Sequence, residues 1–190
     1  MDNTIQHIKN KPVVSVVILN WNGYQDTIEC LASLSQCVNE RFEIILVDNA
    51  SSDGSVEIIE KWITDTVTSK DEKKFKIVKP DSGYTDDSSF IPVYIHVNSE
   101  NLGFAKGNNI GIERALDHNS SYVLLLNNDT VVNHNFLSEL LNFFEAHPEY
   151  SLATPQIRYY DKQDIIWNCG GSLSNFGSRK YFFDDKPSID

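Results

Sequence analysis

Tyr122-Val123-Leu124-Leu125-Leu126-Asn127-Asn128-Asp129 is the stretch on which the reading of this chain turns. Its first five residues are apolar on both faces, so they read as a fully buried strand of a helix-covered sheet. The Asn-Asn-Asp that follows brings a carboxylate to the end of that strand. Ligands of open α/β sheets bind outside the carboxyl ends of the strands, where an acidic side chain can hold a cation against a phosphate. Taken alone, Asn and Asp behind a strand are equally well explained as turn residues that bond their own backbone. Two further strand ends argue against that simpler reading. Val13–Leu19 runs into Asn20-Trp21-Asn22, and Ile44–Val47 runs into Asp48-Asn49-Ala50-Ser51-Ser52-Asp53-Gly54. The three polar ends together suggest one site.

Outward from these ends, apolar strands alternate with amphipathic stretches, which predicts an α/β fold with a mostly parallel sheet flanked by helices. Tyr24–Gln36 offers Ile28, Leu31 and Ala32 at helical spacing. Asp53 is placed to cap a helix with Val56, Ile59 and Ile63 on one face. Residues 65–91 break the rhythm with a charged run and a turn-rich stretch, and read as a surface insertion holding a short strand at Phe75–Val78. A strand at Val93–Val97 leads through Asn101-Leu102-Gly103-Phe104-Ala105-Lys106-Gly107-Asn108-Asn109 into a helix ending near Asp117. The glycine spacing there is neither a dinucleotide fingerprint nor a P-loop. It fits close approach of the helix to a ligand or equally to another element, with Lys106 able to meet a phosphate. After Thr130 a helix places Phe136, Leu137, Leu140, Leu141 and Phe144 on one face, and Pro148 stops it. Ser151–Tyr160 and Ile165–Trp167 read as further strands.

Composition narrows the function. The 190 residues suit one core-bearing domain, and a hydrophobic fraction of 41% excludes a disordered chain. The formal net charge of -11 disfavours nucleic acid as a partner, because phosphate backbones are held by clustered Lys and Arg. It also means that a smaller anionic ligand needs a local Lys or a bound cation to offset repulsion. No apolar run is long enough for a membrane span, and Met1–Lys11 lacks a signal peptide's apolar stretch, so a cytoplasmic location is expected. Cys30, Cys37 and Cys169 have no metal-like spacing. On one helix Cys30 and Cys37 would lie about 10 Å apart, beyond disulfide reach, so reduced thiols are expected.

In order and spacing, V-V-S-V-V-I-L-N-W-N at 13–22, I-I-L-V-D-N-A-S-S-D-G-S at 44–55, N-L-G-F-A-K-G-N-N-I-G at 101–111 and L-L-L-N-N-D-T at 124–130 resemble the N-terminal half of family-two glycosyltransferases with the GT-A fold. They are similar in particular to its rhamnosyltransferase-like branch. The resemblance covers residues 13–175, which it makes a nucleotide-sugar-binding domain. Residues 1–12 are then an N-terminal tail, and 176–190 the start of an incomplete acceptor-side segment.

The resemblance implies a UDP- or dTDP-sugar donor and a saccharide or lipid-linked acceptor, with transfer by inversion and association with the inner membrane face. Asn20, Asn22 and Asn127 would contact the nucleoside, with Trp21 offering its ring or simply packing. Asp48 would accept from the base imide N–H, a role for which a carboxylate is chemically suited. Asp129 matches the metal-binding acid of the DXD position and would hold Mn²⁺ or Mg²⁺ on the pyrophosphate, while Lys106 would meet the phosphates. Asn127 departs from the family pattern, in which many relatives carry Asp. Relatives supply the catalytic base from an acidic motif beyond the region of Gly170–Gly177, and none is recognisable before Asp190. Asp161, Asp164, Asp184 and Asp185 read as solvated turn residues. Two alternatives therefore stay open: a transferase, or a donor-binding domain without a base that cannot complete transfer alone. A nucleotidyltransferase would require a Gly-rich, Arg-bearing loop after the first strand, which Asn20-Trp21-Asn22-Gly23 does not supply. Apolar residues Trp167, Phe176, Tyr181 and Phe182 favour self-association.

Overall fold

Seven consecutive residues of β1 (Val14–Asn20) and of β2 (Phe42–Asp48) are almost wholly buried, as expected of central strands covered on both faces. The computed structural model describes residues 14–37, 40–65, 74–79, 89–173 and 179–181. The expected tail at 1–12, most of the insertion at 65–91, and Phe176, Phe182, Asp184 and Asp185 lie outside them, as does the side chain of Tyr181. The chain divides into two units, Met1–Phe136 and Leu137–Asp190.

The first unit is a five-stranded sheet in the order β3-β4-β2-β1-β5, every pair parallel. Its other strands are β3 (Lys74–Ile77), β4 (Phe90–Val97) and β5 (Tyr122–Asn127). Helices α1 (Tyr24–Ser35), α2 (Ser55–Asp65) and α3 (Gly103–Asp117) make the connections. The α/β class and the mostly parallel sheet are as the alternating pattern predicts. Asp53 accepts from the Ser55 N–H at 3.0 Å where α2 begins, in keeping with its expected capping role.

Helix α3 lies against β1 and β2. The cause is visible at Gly107 and Gly111, where an added Cβ would collide with the side chains of Leu19 and Val17 respectively. Of the glycines that the sequence left between ligand contact and packing, Gly107 and Gly111 are packing residues, whereas a Cβ at Gly103 would meet nothing within 4 Å. Val17, Ile45, Val47 and Ala115 are fully buried in this layer, with Leu19 and Val123 against them. Val16 and Ile18 point to the other face by strand alternation. So does Asn20, whose amide meets Thr27 of α1, so α1 covers the face opposite α3.

A polar pin fastens the C-terminal end of α3 to the sheet. Glu43, fully buried at the start of β2, accepts from Ser15 Oγ at 2.6 Å and meets His118 Nδ1 at 2.8 Å. Ser120 Oγ lies 2.5 Å from Ser15 Oγ. One helical turn earlier, Arg114 donates to His96 Nδ1 of β4 at 2.6 Å.

Three expectations need correction. Tyr122–Leu126 is not a fully buried strand: β5 pairs only with β1 among the described residues, only Leu126 is buried, and Leu125 is 49% exposed. An apolar run reports the chemistry of a strand but not how many neighbours flank it. The region read as a surface insertion does hold the expected short strand, as β3, but as a member of the main sheet, pairing Lys74–Ile77 with Phe90–Val93. β4 accordingly starts at Phe90, not Val93, and Pro92 is tolerated because pairing with β2 begins only at Val93.

The third correction falls in the second unit. The strand expected over Ser151–Tyr160 is reduced to β6 (Ile157–Arg158), paired antiparallel with β7 (Ile166–Asn168). Polar and proline residues at 154–156 offer no alternation to sustain it. The unit also holds α4 (Phe136–Ala146) but for its first residue, and β8 (Gly171–Leu173) paired antiparallel with β9 (Arg179–Tyr181). On α4, Phe136, Leu137, Leu140, Leu141 and Phe144 form the less exposed face, as the spacing predicts. Trp167 is 44% exposed.

Candidate functional site

The carboxyl ends of β1 and β2 are stitched together by side chains. Asn20, fully buried, donates from Nδ2 to Asp48 Oδ1 at 2.7 Å and to Ser51 Oγ at 3.1 Å. Its Oδ1 accepts from Thr27 Oγ1 at 2.8 Å. Asp48 Oδ1 also accepts from Ser51 Oγ at 2.6 Å, and Oδ2 accepts from the Ser51 N–H at 2.8 Å. This is the Asx geometry by which an Asp organises the turn that follows it. A carboxylate has about four lone-pair sites. Among the described residues three are engaged, and one on Oδ2 is left for a donor.

Asn22 joins the same loop from the other side. Its backbone N–H donates to Ser51 Oγ at 2.8 Å, and its Oδ1 accepts from the Ser52 N–H at 2.8 Å. Asn22 has φ 52° and Ala50 φ 61°. Asn enters this left-handed region readily, but Ala does so at a cost that the surrounding bonds must offset. Between Asn20 and Asn22, Trp21 is 56% exposed, so its ring is not packing material.

The end of β5 is tied in through α1. Asn128 Nδ2 donates to Thr27 Oγ1 at 3.1 Å, with Gly23 O at 3.4 Å. Thr27 thus stands between Asn20 and Asn128, and connects the β1 and β5 ends. On either side of Asn128, Asn127 and Asp129 are exposed. Asp129 lies near enough to Cys30 to act on it: burial first, and the negative charge of Asp129 second, together push this thiol up to about 12. Cys30, whose Sγ lies 3.8 Å from Asn127 O, is therefore an uncharged thiol and not a nucleophile.

Lys106 is exposed on the first turn of α3. The loop that precedes it is held by Asn49, which bonds Asn98, Asn101, Leu102 and Gly103. The expected residues are thus distributed as follows. Asn20, Asn22 and Asp48 meet around Ser51; Asn127 and Asp129 flank an anchored Asn128; and Lys106 stands on a helix whose start is tied to the end of β2.

No group of three or more His, Cys, Asp or Glu that could hold a metal exists among the described residues. Asp129 instead offers a single exposed carboxylate, a hard-oxygen donor. Mg²⁺ and similar ions commonly use one or two carboxylates, with phosphates and waters completing the shell, so this donor set fits a metal brought with a phosphate ligand. Asp161 and Asp164 are exposed in the β6–β7 turn of the second unit.

Thr27, Ser51, Asn128, Asn49 and Asn98 were not singled out from the sequence. Ser51 was discoverable, because Asp-x-x-Ser at a strand end is an Asx-turn signal. Thr27 carries no such mark.

Comparison with known proteins bears on this geometry. The family model described as glycosyl transferase family 2 matches residues 15–189. Among solved structures, S. aureus TarS 1–349 in complex with UDP has a TM-score of 0.52 and 19% identity over 77% of this chain and 39% of that one. The mannosyltransferase PcManGT from Pyrobaculum calidifontis, in complex with GDP-Man and Mn²⁺, has a TM-score of 0.50 and 17% identity, covering 78% of this chain and 34% of that one. The chain thus spans well under half the length of these structures. No curated protein matches it.

Proposed function

The chain belongs to glycosyl transferase family 2, and we propose that it binds a UDP- or dTDP-sugar and takes part in transfer of a hexosyl or deoxyhexosyl group to a saccharide or lipid-linked acceptor, with inversion. Within the family we assign it to the rhamnosyltransferase-like branch, on the four motifs at 13–22, 44–55, 101–111 and 124–130. The observation that carries the donor reading is Asp48: a buried carboxylate with one uncommitted lone pair, held in place by Asn20 and Ser51. That is an acceptor suited to the imide N–H of uracil or thymine. The complexes of similarly folded proteins with UDP and with GDP-Man support a nucleotide-sugar ligand.

In this reading Asn20 orients Asp48, Asn22 and Trp21 form the rim of the nucleoside pocket, Asn127 bonds the ribose, and Lys106 meets the phosphates. Asp129 would hold Mn²⁺ or Mg²⁺ against the pyrophosphate, where the ion would supply Lewis-acid stabilisation of the departing diphosphate. An acceptor hydroxyl attacks the anomeric carbon from the face opposite the leaving group and gives its proton to a base. The base is unassigned. Asp161 and Asp164 are exposed turn residues, and this favours a second reading in which the chain by itself binds the donor without efficient transfer. No helix among the described residues is long and apolar enough to cross a membrane. We place the protein in the cytoplasm, peripheral to the membrane where the acceptor is lipid-linked; the buried thiols of Cys30 and Cys37 support a reducing compartment.

Calorimetry with UDP, dTDP and GDP, each with Mn²⁺ and with excess chelator, tests the proposal. Tight, metal-dependent binding of UDP or dTDP is expected. Failure of every nucleotide to bind, or preference for GDP, would overturn the donor assignment.

A further inference from the structure

We infer that Asn49 is a positioning residue that fixes the spacing between the base-recognising end of β2 and the phosphate-facing start of α3. The inference rests on the donor-binding reading above. Asn49 directly follows Asp48, is 2% exposed, and its amide is bonded on both sides. Nδ2 donates to Asn101 Oδ1 at 2.8 Å and to Gly103 O at 3.4 Å. Oδ1 accepts from Asn98 Nδ2 at 3.1 Å and from the Leu102 N–H at 3.0 Å. Its backbone N–H donates to Asn20 O at 2.8 Å, which continues the β1–β2 ladder past the strand ends. One buried side chain therefore grips three residues of the β4–α3 loop and the first residue of α3 from the residue adjoining Asp48.

The loop needs this grip because α3 does not hold its own start. Leu102 at the N-cap supplies no side-chain bond to the helix, and Gly103 has φ +76°. The Gly103 N–H is bonded to Asn101 Oδ1 at 2.8 Å, the same oxygen that Asn49 holds. The first-turn N–H groups of a helix lack intrahelical acceptors and face outward with a partial positive charge. Where those groups and Lys106 stand relative to Asp48 is thus decided by the Asn49 amide. Near the other end of the helix, His96 of β4 accepts from Arg114 in the last turns of α3.

A donor that reaches from base to pyrophosphate reads this spacing, whereas a nucleoside does not. Asn49→Asp keeps the shape but replaces two donors by an acceptor facing two oxygens. Asn101→Ala, at an exposed position, removes the shared acceptor and carries the test if the buried variant does not fold. Each full-chain variant is titrated with uridine and thymidine, and with UDP and dTDP in Mn²⁺, and its ligand-free amide exchange is followed at Leu102 and Gly103. We expect nucleoside affinity within about twofold of wild type and diphosphate affinity reduced about tenfold, the size of roughly one lost hydrogen bond to a charged group. Combining either variant with Lys106→Ala should give less than the sum of the two losses. Faster exchange at Leu102 and Gly103 is expected in both variants. Equal losses for nucleoside and diphosphate, or unchanged diphosphate affinity, would overturn the positioning role, and unchanged exchange would overturn the grip itself. If wild type binds neither diphosphate while exchange still rises in the variants, the donor reading fails, and the positioning role fails with it.

Discussion

Asn20 Nδ2 donates to Asp48 Oδ1 across 2.7 Å at the paired ends of two parallel strands, where Asn20 and Asp48 are register partners. The register makes the contact possible: partners on neighbouring strands point to the same face, so the last residues of β1 and β2 present an amide and a carboxylate side by side. With both residues buried, the amide is a neutral donor that satisfies the carboxylate without bringing in a second charge.

Removing that donor should cost stability as well as binding. Asn20→Ala is expected to destabilise the chain by about 1.5–3 kcal/mol, because a buried carboxylate loses a hydrogen bond. Asn20→Asp should be worse, since two carboxylates would share one site. Urea midpoints check the order. Asp48→Asn preserves the shape and should weaken UDP or dTDP by a similar 1.5–3 kcal/mol in calorimetry while leaving metal dependence intact.

Asp129 separates a ligand effect from an internal one. Asp129→Asn should abolish the Mn²⁺-dependent part of nucleotide binding. Independently of any ligand, it should lower the pKa of the Cys30 thiol from about 12, while burial, the larger cause, keeps it above the ordinary value. The pH dependence of Cys30 alkylation in wild type and variant measures this. An unchanged thiol titration would show that Asp129 does not act on Cys30.

How far the sequence could be read depended on which quantity each residue reports. The parallel sheet was legible, because Val13–Leu19, but for Ser15, and Ile44–Val47 are apolar and alternate with helical stretches. Asn20, Asp48 and Asp129 stood out as polar groups at strand ends. The edge exposure of Leu125 was not legible, since strand order is a property of the whole sheet. The short strand at Phe75–Val78 was legible, as β3, but its place in the main sheet was not, because the charged stretch around it looked peripheral. Thr27 and Asn49 were missed because their importance lies in partners that are distant in sequence: Asn49 reaches Asn98 and Asn101, and Thr27 reaches Asn128.

The close seating of α3 on β1 gives a stability prediction. Gly111→Ala places a methyl group against Val17 in a fully buried layer, and Gly107→Ala places one against Leu19. Each should destabilise by about 1–3 kcal/mol, the usual range for overpacking, despite alanine's better helix propensity. Gly103→Ala meets no atom within 4 Å and should pay only for its positive φ of +76°. Thermal unfolding distinguishes them. A Gly111→Ala variant as stable as wild type would mean that α3 shifts freely on the sheet.

The two imidazoles that anchor α3 should give stability a maximum in pH. His118 is raised above its ordinary value of 6.5, chiefly by its hydrogen bond to Glu43, against an opposing effect of burial and with the Glu43 charge adding to the rise. Arg114 lowers it and Asp117 raises it. A raised histidine contributes stability that is fully present below 6.5 and is lost as pH rises through its folded value. His96 is lowered, first by burial and then by Arg114, with Asn98 opposing. Its contribution is present above 6.5 and is lost as pH falls through its folded value. The two contributions therefore overlap near the ordinary imidazole value and fall away on opposite sides. Subtracting the urea-midpoint profile of His118→Gln from that of wild type should leave a difference that shrinks on the alkaline side, and His96→Gln one that shrinks on the acid side. Parallel profiles for wild type and both variants between about pH 5 and 9 would mean that neither histidine titrates in concert with folding, and that the contacts to Glu43 and Arg114 hold α3 by packing alone.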